Sequence, residues 1–263
     1  MSSRSSSRYL QAPVVVAVTL LALLMPVVEI QAQRGGQRGQ RGQEPARPPR
    51  EAAPIDLTGY WVSIVSEDWR VRMTMAQKGD WEFMPLSPEG RRVAESADPV
   101  REDPCKAYGA AGIMRVPGRL NIKWENDSTL RIDTDAGTQT RQFHFGQSQP
   151  VAGEPALQGY SVAQWEARTP NSEAGGKQAP GGELKVVTTR LRPGYYFKHG
   201  VPYSGNAVMT EYFAKISEAN GDYLLVTTIV DDPQYLTQPF TKTLTFKREP
   251  NGSKWKPAPC SVP

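Results

Sequence analysis

The chain of 263 residues has two cysteines and two histidines. His144 and His199 lie far apart, and there is no His-x-His or Cys-x-x-Cys. A zinc site normally wants three or four nitrogen or sulfur ligands with tight local spacing, so no metal site is expected. Phosphate-binding and dinucleotide fingerprints are missing too, and no cofactor is expected. Gly159-Tyr160-Ser161-Val162-Ala163 falls one residue short of a Gly-x-Ser-x-Gly nucleophile elbow. It also sits inside an apparent strand, without the helix that such an elbow needs. Helical signal is sparse: Gly and Pro contribute 23 residues each, and both break helices, which excludes a helical bundle. A mean hydropathy of −0.51 excludes a polytopic membrane protein.

The long apolar run, 14–28 (VVVAVTLLALLMPVV), is shorter than the roughly 20 residues that span a bilayer. Arg4 and Arg8 precede it, and Ile30-Gln31-Ala32 ends it on a small residue. That pattern is a secretory signal peptide over 1–32, implying a periplasmic or extracellular bacterial protein. An uncleaved anchor is the alternative, and Pro26 near the end of the run favours cleavage. Residues 33–53 carry no large apolar side chain and read as a disordered tether. Their Gln-Arg-Gly repeats look like an RNA-binding arm, but export argues instead for a solvated spacer with affinity for an anionic envelope surface.

Of 31 basic residues seven precede residue 54, against three of 27 acidic ones, so residues 54–263 hold 24 of each sign. The net charge of +4 therefore belongs to the leader and tether. Neither a nucleic-acid partner nor a transmembrane segment in the mature chain is expected. In an oxidising compartment Cys105 and Cys260 most simply form one disulfide, tying the Pro-rich C-terminus to the loop at Asp103-Pro104-Cys105. A metal pair or a catalytic thiol is the alternative, and neither cysteine has a second Cys or His nearby in sequence.

From residue 56 the hydrophobic period is two. Leu120, Ile122 and Trp124 alternate with polar residues, Asn126-Asp127-Ser128 breaks the pattern, and Leu130 and Ile132 resume it, so 119–135 reads as a hairpin. Further strands are expected at 57–65, 68–74, 138–145, 157–166, 184–191, 206–215, 222–230 and 238–247. The clear helix signal is 87–96, where Ser87 can cap, Pro88 suits the first helical position and Asp98-Pro99 stops the helix. Residues 169–182 read as an insertion loop. The expectation is an all-β fold over 54–263: an antiparallel meander of about 8–10 strands that closes on itself.

Gly59-Tyr60-Trp61 is similar to the opening signature of lipocalin-type barrels. More broadly, 56–260 resembles a large family of uncharacterised secreted bacterial proteins with a lipocalin-like β-barrel core. Leu86-Ser87-Pro88-Glu89-Gly90-Arg91-Arg92, Asp103-Pro104-Cys105, Gly159-Tyr160-Ser161, Trp165-Glu166, Gly200-Val201-Pro202-Tyr203-Ser204, Thr210-Glu211-Tyr212-Phe213 and Asp231-Asp232-Pro233 carry the likeness. The chain departs from it at Tyr203, where a His is expected, and at 169–182, which replaces a tight turn. The resemblance implies a lipocalin-like barrel and an exported protein; it assigns no activity.

Strand parity places Glu211 on one face with Met209 and Phe213, and Arg141 on one face with Phe143 and Phe145. If those faces point inward, Glu211 is a partly desolvated carboxylate able to act as an acid or base, or half of a structural ion pair with Arg141. Trp165, Glu166, Tyr203 and Ser204, from the family-like segments, complete the expected ligand-binding set with Arg141 and Glu211. Tyr195-Tyr196-Phe197 and Tyr203 suit either a ligand at a barrel mouth or a plug that fills it. Asp231-Asp232-Pro233 reads as a turn, His144 as a solvent-side strand residue. Three functions follow: binding of a small apolar or amphipathic ligand in a barrel cavity, hydrolase, isomerase or lyase chemistry at Glu211, or assembly of the cell envelope.

Overall fold

The structure, a computed structural model, describes residues 47–72, 76–81, 83–150, 152–167 and 181–261. The expected signal peptide and most of the expected tether lie outside them. Among the described residues eleven strands form: β1 Gly59–Ser63, β2 Arg119–Asn126, β3 Thr129–Thr134, β4 Thr140–Phe145, β5 Tyr160–Ala167, β6 Gly182–Thr189, β7 Gly194–Phe197, β8 Val201–Tyr203, β9 Val208–Glu218, β10 Gly221–Asp231 and β11 Phe240–Glu249. Nine of them close a barrel in the order β1-β11-β10-β9-β6-β5-β4-β3-β2, and β7 and β8 make a separate hairpin.

The expected all-antiparallel meander is corrected at two places. β5 runs parallel to β4, with Phe143 opposite Ser161. Their connection, 146–159, is long enough to carry the chain back to the end where β4 began, and a parallel pair needs a crossover of that length. It travels along the outside, where the Gln149 side-chain amide donates to the Val187 carbonyl at 2.7 Å. β6 then pairs with β9 rather than with its successor, because β7 and β8 leave the barrel wall. A third correction concerns the expected strand 68–74, of which 73 and 74 lie outside the described residues. The chain there makes a 3-10 turn, Ser66–Asp68, and a short helix, α1 Trp69–Arg72. Arg72 turns inward to donate to the carbonyls of Arg115 (2.9 Å) and Ile64 (2.8 Å).

Helix α2, Pro88–Ser96, forms as the sequence predicts: the Ser87 hydroxyl accepts from the Gly90 amide at 3.0 Å, and proline takes the first position. Gly90 is needed for close approach, since a Cβ there would lie 2.4 Å from the Tyr235 carbonyl oxygen.

Along the nine barrel strands alternate residues point into the barrel, and side chains fill it. Leu120, Ile122, Leu130, Ile132, Phe143, Phe213, Val226 and Phe246 are all buried in one cluster. At one end Trp124, Phe145 and Trp165 stack with centroids 5.4–6.5 Å apart. Trp61 is buried in the same cluster, its indole N–H donating to the Leu57 carbonyl at 2.9 Å and its ring carrying the Arg248 guanidinium at 5.3 Å. The segment entering β1 seals this end. The Trp165 indole donates to the Pro49 carbonyl at 2.8 Å, and the Arg50 amide to the Asp127 carbonyl at 3.1 Å. The end of the sequence-predicted tether is thus seated on the barrel, with Ile55 packed against its core.

The opposite end is covered by α1, α2, a 3-10 turn Pro104–Tyr108, α3 Ala110–Ile113 and the β7–β8 hairpin. Glu102 braces this cap: its carboxylate accepts from Lys106, from the Tyr195 hydroxyl (2.7 Å) and from the Asp98 amide (3.0 Å). Burial alone would raise its pKa, but these bonds outweigh it and bring it down to about 2. From β11 the C-terminal tail returns along the outside. Trp255 packs edge-on against Tyr60, Ala258 bridges to Ala136, and Cys260 bonds to Cys105 with their Cα atoms 5.1 Å apart. The expected disulfide is therefore present. Among the described residues no helix is long and apolar enough to cross a membrane.

Candidate site: a polar belt in the barrel and a cavity under the cap

The six sequence-predicted site residues fall in three places. Arg141 and Glu211 meet inside the barrel as a bidentate pair, Nη1 to Oε1 at 3.0 Å and Nη2 to Oε2 at 2.5 Å, both side chains 0% exposed. A belt of hydroxyls continues across the wall. Thr188 Oγ1 lies 3.4 Å from Arg141 Nη2 and 2.8 Å from Ser161 Oγ. Phe143 stacks its ring 4.9 Å from the guanidinium. Arg141 Nε has no protein partner. The pair is closed in by packed side chains.

Trp165 belongs to the aromatic layer at the far end. Its neighbour Glu166 alternates to the outer face and pairs with Lys185 at 3.3 Å. Tyr203 and Ser204 sit in the cap. Tyr203 is fully buried, wedged where a Cβ on Gly109 or Gly194 would come 2.0 or 2.5 Å from its hydroxyl oxygen. Burial holds its pKa well above the tyrosine range. Ser204 donates from both its amide and its hydroxyl to Asp232 at 2.7 Å, and Asp232 also accepts from the Gln234 amide at 3.2 Å. Asp232 therefore closes the turn that the sequence suggests. His144 is half-buried and stacks on Tyr160 at 4.9 Å, and burial lowers its pKa.

The open volume is elsewhere. A cavity of about 440 Å³ lies under the cap, within the range of small-molecule sites. Its walls come from separate parts of the chain: Arg72 at the end of α1, Ala76, 107–117, 136–137, 196–199 and 258–261 of the tail. Its surface is mainly apolar and aromatic, and it does not reach Glu211. The disulfide ties the tail wall to the 3-10 turn that forms the facing wall. The Tyr108 hydroxyl locks the same wall, accepting from the Ser261 amide at 3.2 Å. Burial raises the Tyr108 pKa, but bonds from Lys198 and Ser261 and the Lys198 charge outweigh it, leaving it below the ordinary value.

Three cations, Arg72, Arg115 and Lys198, line the cavity, and no carboxylate side chain does so among the described residues. Arg115 is stacked between Phe197 (5.0 Å) and Phe240 (4.8 Å), and Lys198 lies 5.0 Å over the Tyr108 ring. Two further lining residues hold polar atoms without a protein partner: His199 Nε2 and the Tyr196 hydroxyl, with His199 8% and Tyr196 1% exposed. An unpaired buried polar group costs about 1–3 kcal/mol. Burial lowers the His199 pKa, partly offset by a hydrogen bond to the Asp80 backbone. Burial pushes the Tyr196 hydroxyl far up. Among the described residues no cluster of three or more His, Cys, Asp or Glu side chains could hold a metal ion.

Sequence reasoning missed this cavity, because its walls come from positions 72 to 261 and only folding brings them together. The available signal was the dense aromatic stretch from Tyr195 to Tyr203, which forms the β7–β8 side of the cap. The chain is thus a closed nine-stranded mixed β-barrel with a capped end and a cavity beneath the cap. No protein-family model matches this sequence, and no curated protein matches it.

Proposed function

We propose that this is an exported binding protein that takes a small apolar or amphipathic molecule into the cavity under the cap. The observation that carries the reading is the 440 Å³ cavity itself, apolar over most of its wall, with a few polar groups in it. The packed barrel beneath serves as its rigid floor. Export is supported by the disulfide and by the signal-like leader, and it accords with the resemblance to secreted lipocalin-like proteins. Chemistry at Glu211 is the weaker reading, since that carboxylate is enclosed in its pair with Arg141 and away from the cavity.

Titration with the neutral fluorescent probe N-phenyl-1-naphthylamine tests the proposal. One saturable site is expected. Ala258→Trp, which sets an indole on the exposed tail wall, should abolish it with the melting temperature unchanged. If the wild-type protein bound no such probe, an assembly role would replace the binding role.

A further inference from the structure

Resting on the cavity as the binding site, we infer that its occupant is an amphipathic anion, whose charged head meets the ammonium of Lys198 at the cavity rim while its apolar body lies within. Lys198 is half-buried and the neighbouring Ser261 is exposed, so this corner of the wall meets solvent. Lys198 Nζ donates to Ser261 Oγ at 3.1 Å and lies 5.0 Å over the Tyr108 ring. Ser261 Oγ is in turn 3.1 Å from the Tyr108 hydroxyl, so a bonded cluster aims the lysine. An ammonium has three N–H donors. One serves Ser261, and an oxyanion at the rim can take another in a charge-assisted hydrogen bond.

The charge along the wall is of one sign. Arg72 of α1 and Arg115 beyond α3 line the cavity with Lys198, and no carboxylate side chain does so among the described residues. Asp135 adjoins the lining residue Ala136 but turns to Arg119, accepting from its amide at 2.6 Å and lying 3.9 Å from its guanidinium. Taking an ion out of water is costly unless an opposite charge faces it. Cations in the wall offset that cost for an anion, add to it for an ammonium and leave a neutral molecule unaffected. The two arginines are buried in the wall and act through their field, whereas Lys198 is placed to touch the head. Ala107, Val116, Pro117 and Phe197 remain for the apolar body, which a small inorganic anion lacks.

Two fluorescent probes with one skeleton test this: 1-anilinonaphthalene-8-sulfonate carries a permanent negative charge, and N-phenyl-1-naphthylamine carries none. At low ionic strength the sulfonate is expected to bind the purified protein roughly five- to tenfold more tightly than the neutral probe, and added salt should narrow the gap. Lys198→Met keeps the apolar stem and removes the charge. It should lose most of that preference, with the affinity for the neutral probe and the melting temperature unchanged. Lys198→Arg should restore the preference. Inorganic sulfate, compared with chloride at equal ionic strength, should not displace the sulfonate probe. Equal affinity for the two probes in the wild type would overturn the anion assignment, and displacement by sulfate would overturn the need for an apolar body. A preference undiminished in K198M, or a parallel loss of both probes there, would overturn the role of Lys198. Wild-type binding of the neutral probe is read separately in each case, so these outcomes are distinguishable from failure of the binding reading itself.

Discussion

Glu211→Gln is expected to destabilise the barrel by about 3–5 kcal/mol, roughly 6–20 °C in Tm for a domain of this size. The substitution keeps the shape of the side chain and removes its charge. Arg141 is then left charged between Phe143, Thr188 and the packed wall, buried away from bulk solvent. The cost is that of an orphaned buried cation, because two ions in a tight pair gain little over apolar residues of the same volume. Joint replacement, Arg141→Met with Glu211→Leu, should therefore recover most of the loss. A thermal melt of the single and double variants checks this. The same experiment separates structure from chemistry: a catalytic Glu211 at an open site would tolerate Gln with little change in stability. A melt of E211Q that coincides with wild type would mean that the pair is solvated, and the barrel not closed around it.

Reduction of the Cys105–Cys260 bond is expected to have the second large effect, for two reasons. The bridge closes a loop of 155 residues, and releasing it frees the unfolded chain by up to about 4–5 kcal/mol in the chain-entropy account, with measured losses usually about 2–5. The bond also pins the cavity wall. Beyond Ala258, whose amide donates to the Asp135 carbonyl at 2.8 Å, the tail is held by the disulfide, by the Ser261 amide donating to the Tyr108 hydroxyl and by Lys198 Nζ donating to Ser261 Oγ. Cys105→Ser with Cys260→Ser should lower Tm and weaken neutral-probe binding together. A variant that lost stability but bound the probe as wild type does would show that the tail is not a functional wall.

The barrel was legible in the sequence where pairing is local. The alternation at Leu120–Ile122 and Leu130–Ile132 marks β2 and β3, and the Asn220-Gly221 turn marks β9 and β10. Ser87-Pro88 marks α2 because a cap is a local hydrogen bond. Parity puts Arg141 on a face with Phe143 and Phe145 and Glu211 on one with Met209 and Phe213, and the structure turns both faces inward and joins the pair. The parallel pairing of β4 with β5 left no such trace, since it depends on where a long connection returns and not on the residues that pair. The stretch 68–72 misled because Trp69-Arg70-Val71-Arg72 alternates like a strand, while the inward bonds of Arg72 decide for a turn. Tyr203 and Ser204, expected as ligand contacts, sit buried in the cap, Tyr203 packed against Gly109 and Gly194 and Ser204 bonded to Asp232, all from distant parts of the chain.

The central claim is that ligand enters under the cap and not the barrel. Photolabelling with the apolar reagent 3-trifluoromethyl-3-phenyldiazirine, followed by peptide mapping, tests it most directly. The account predicts label at 107–117, 196–199 and 258–261, the walls of the cavity. Label concentrated on Ser161, Thr188 or Glu211, inside the barrel, would contradict it.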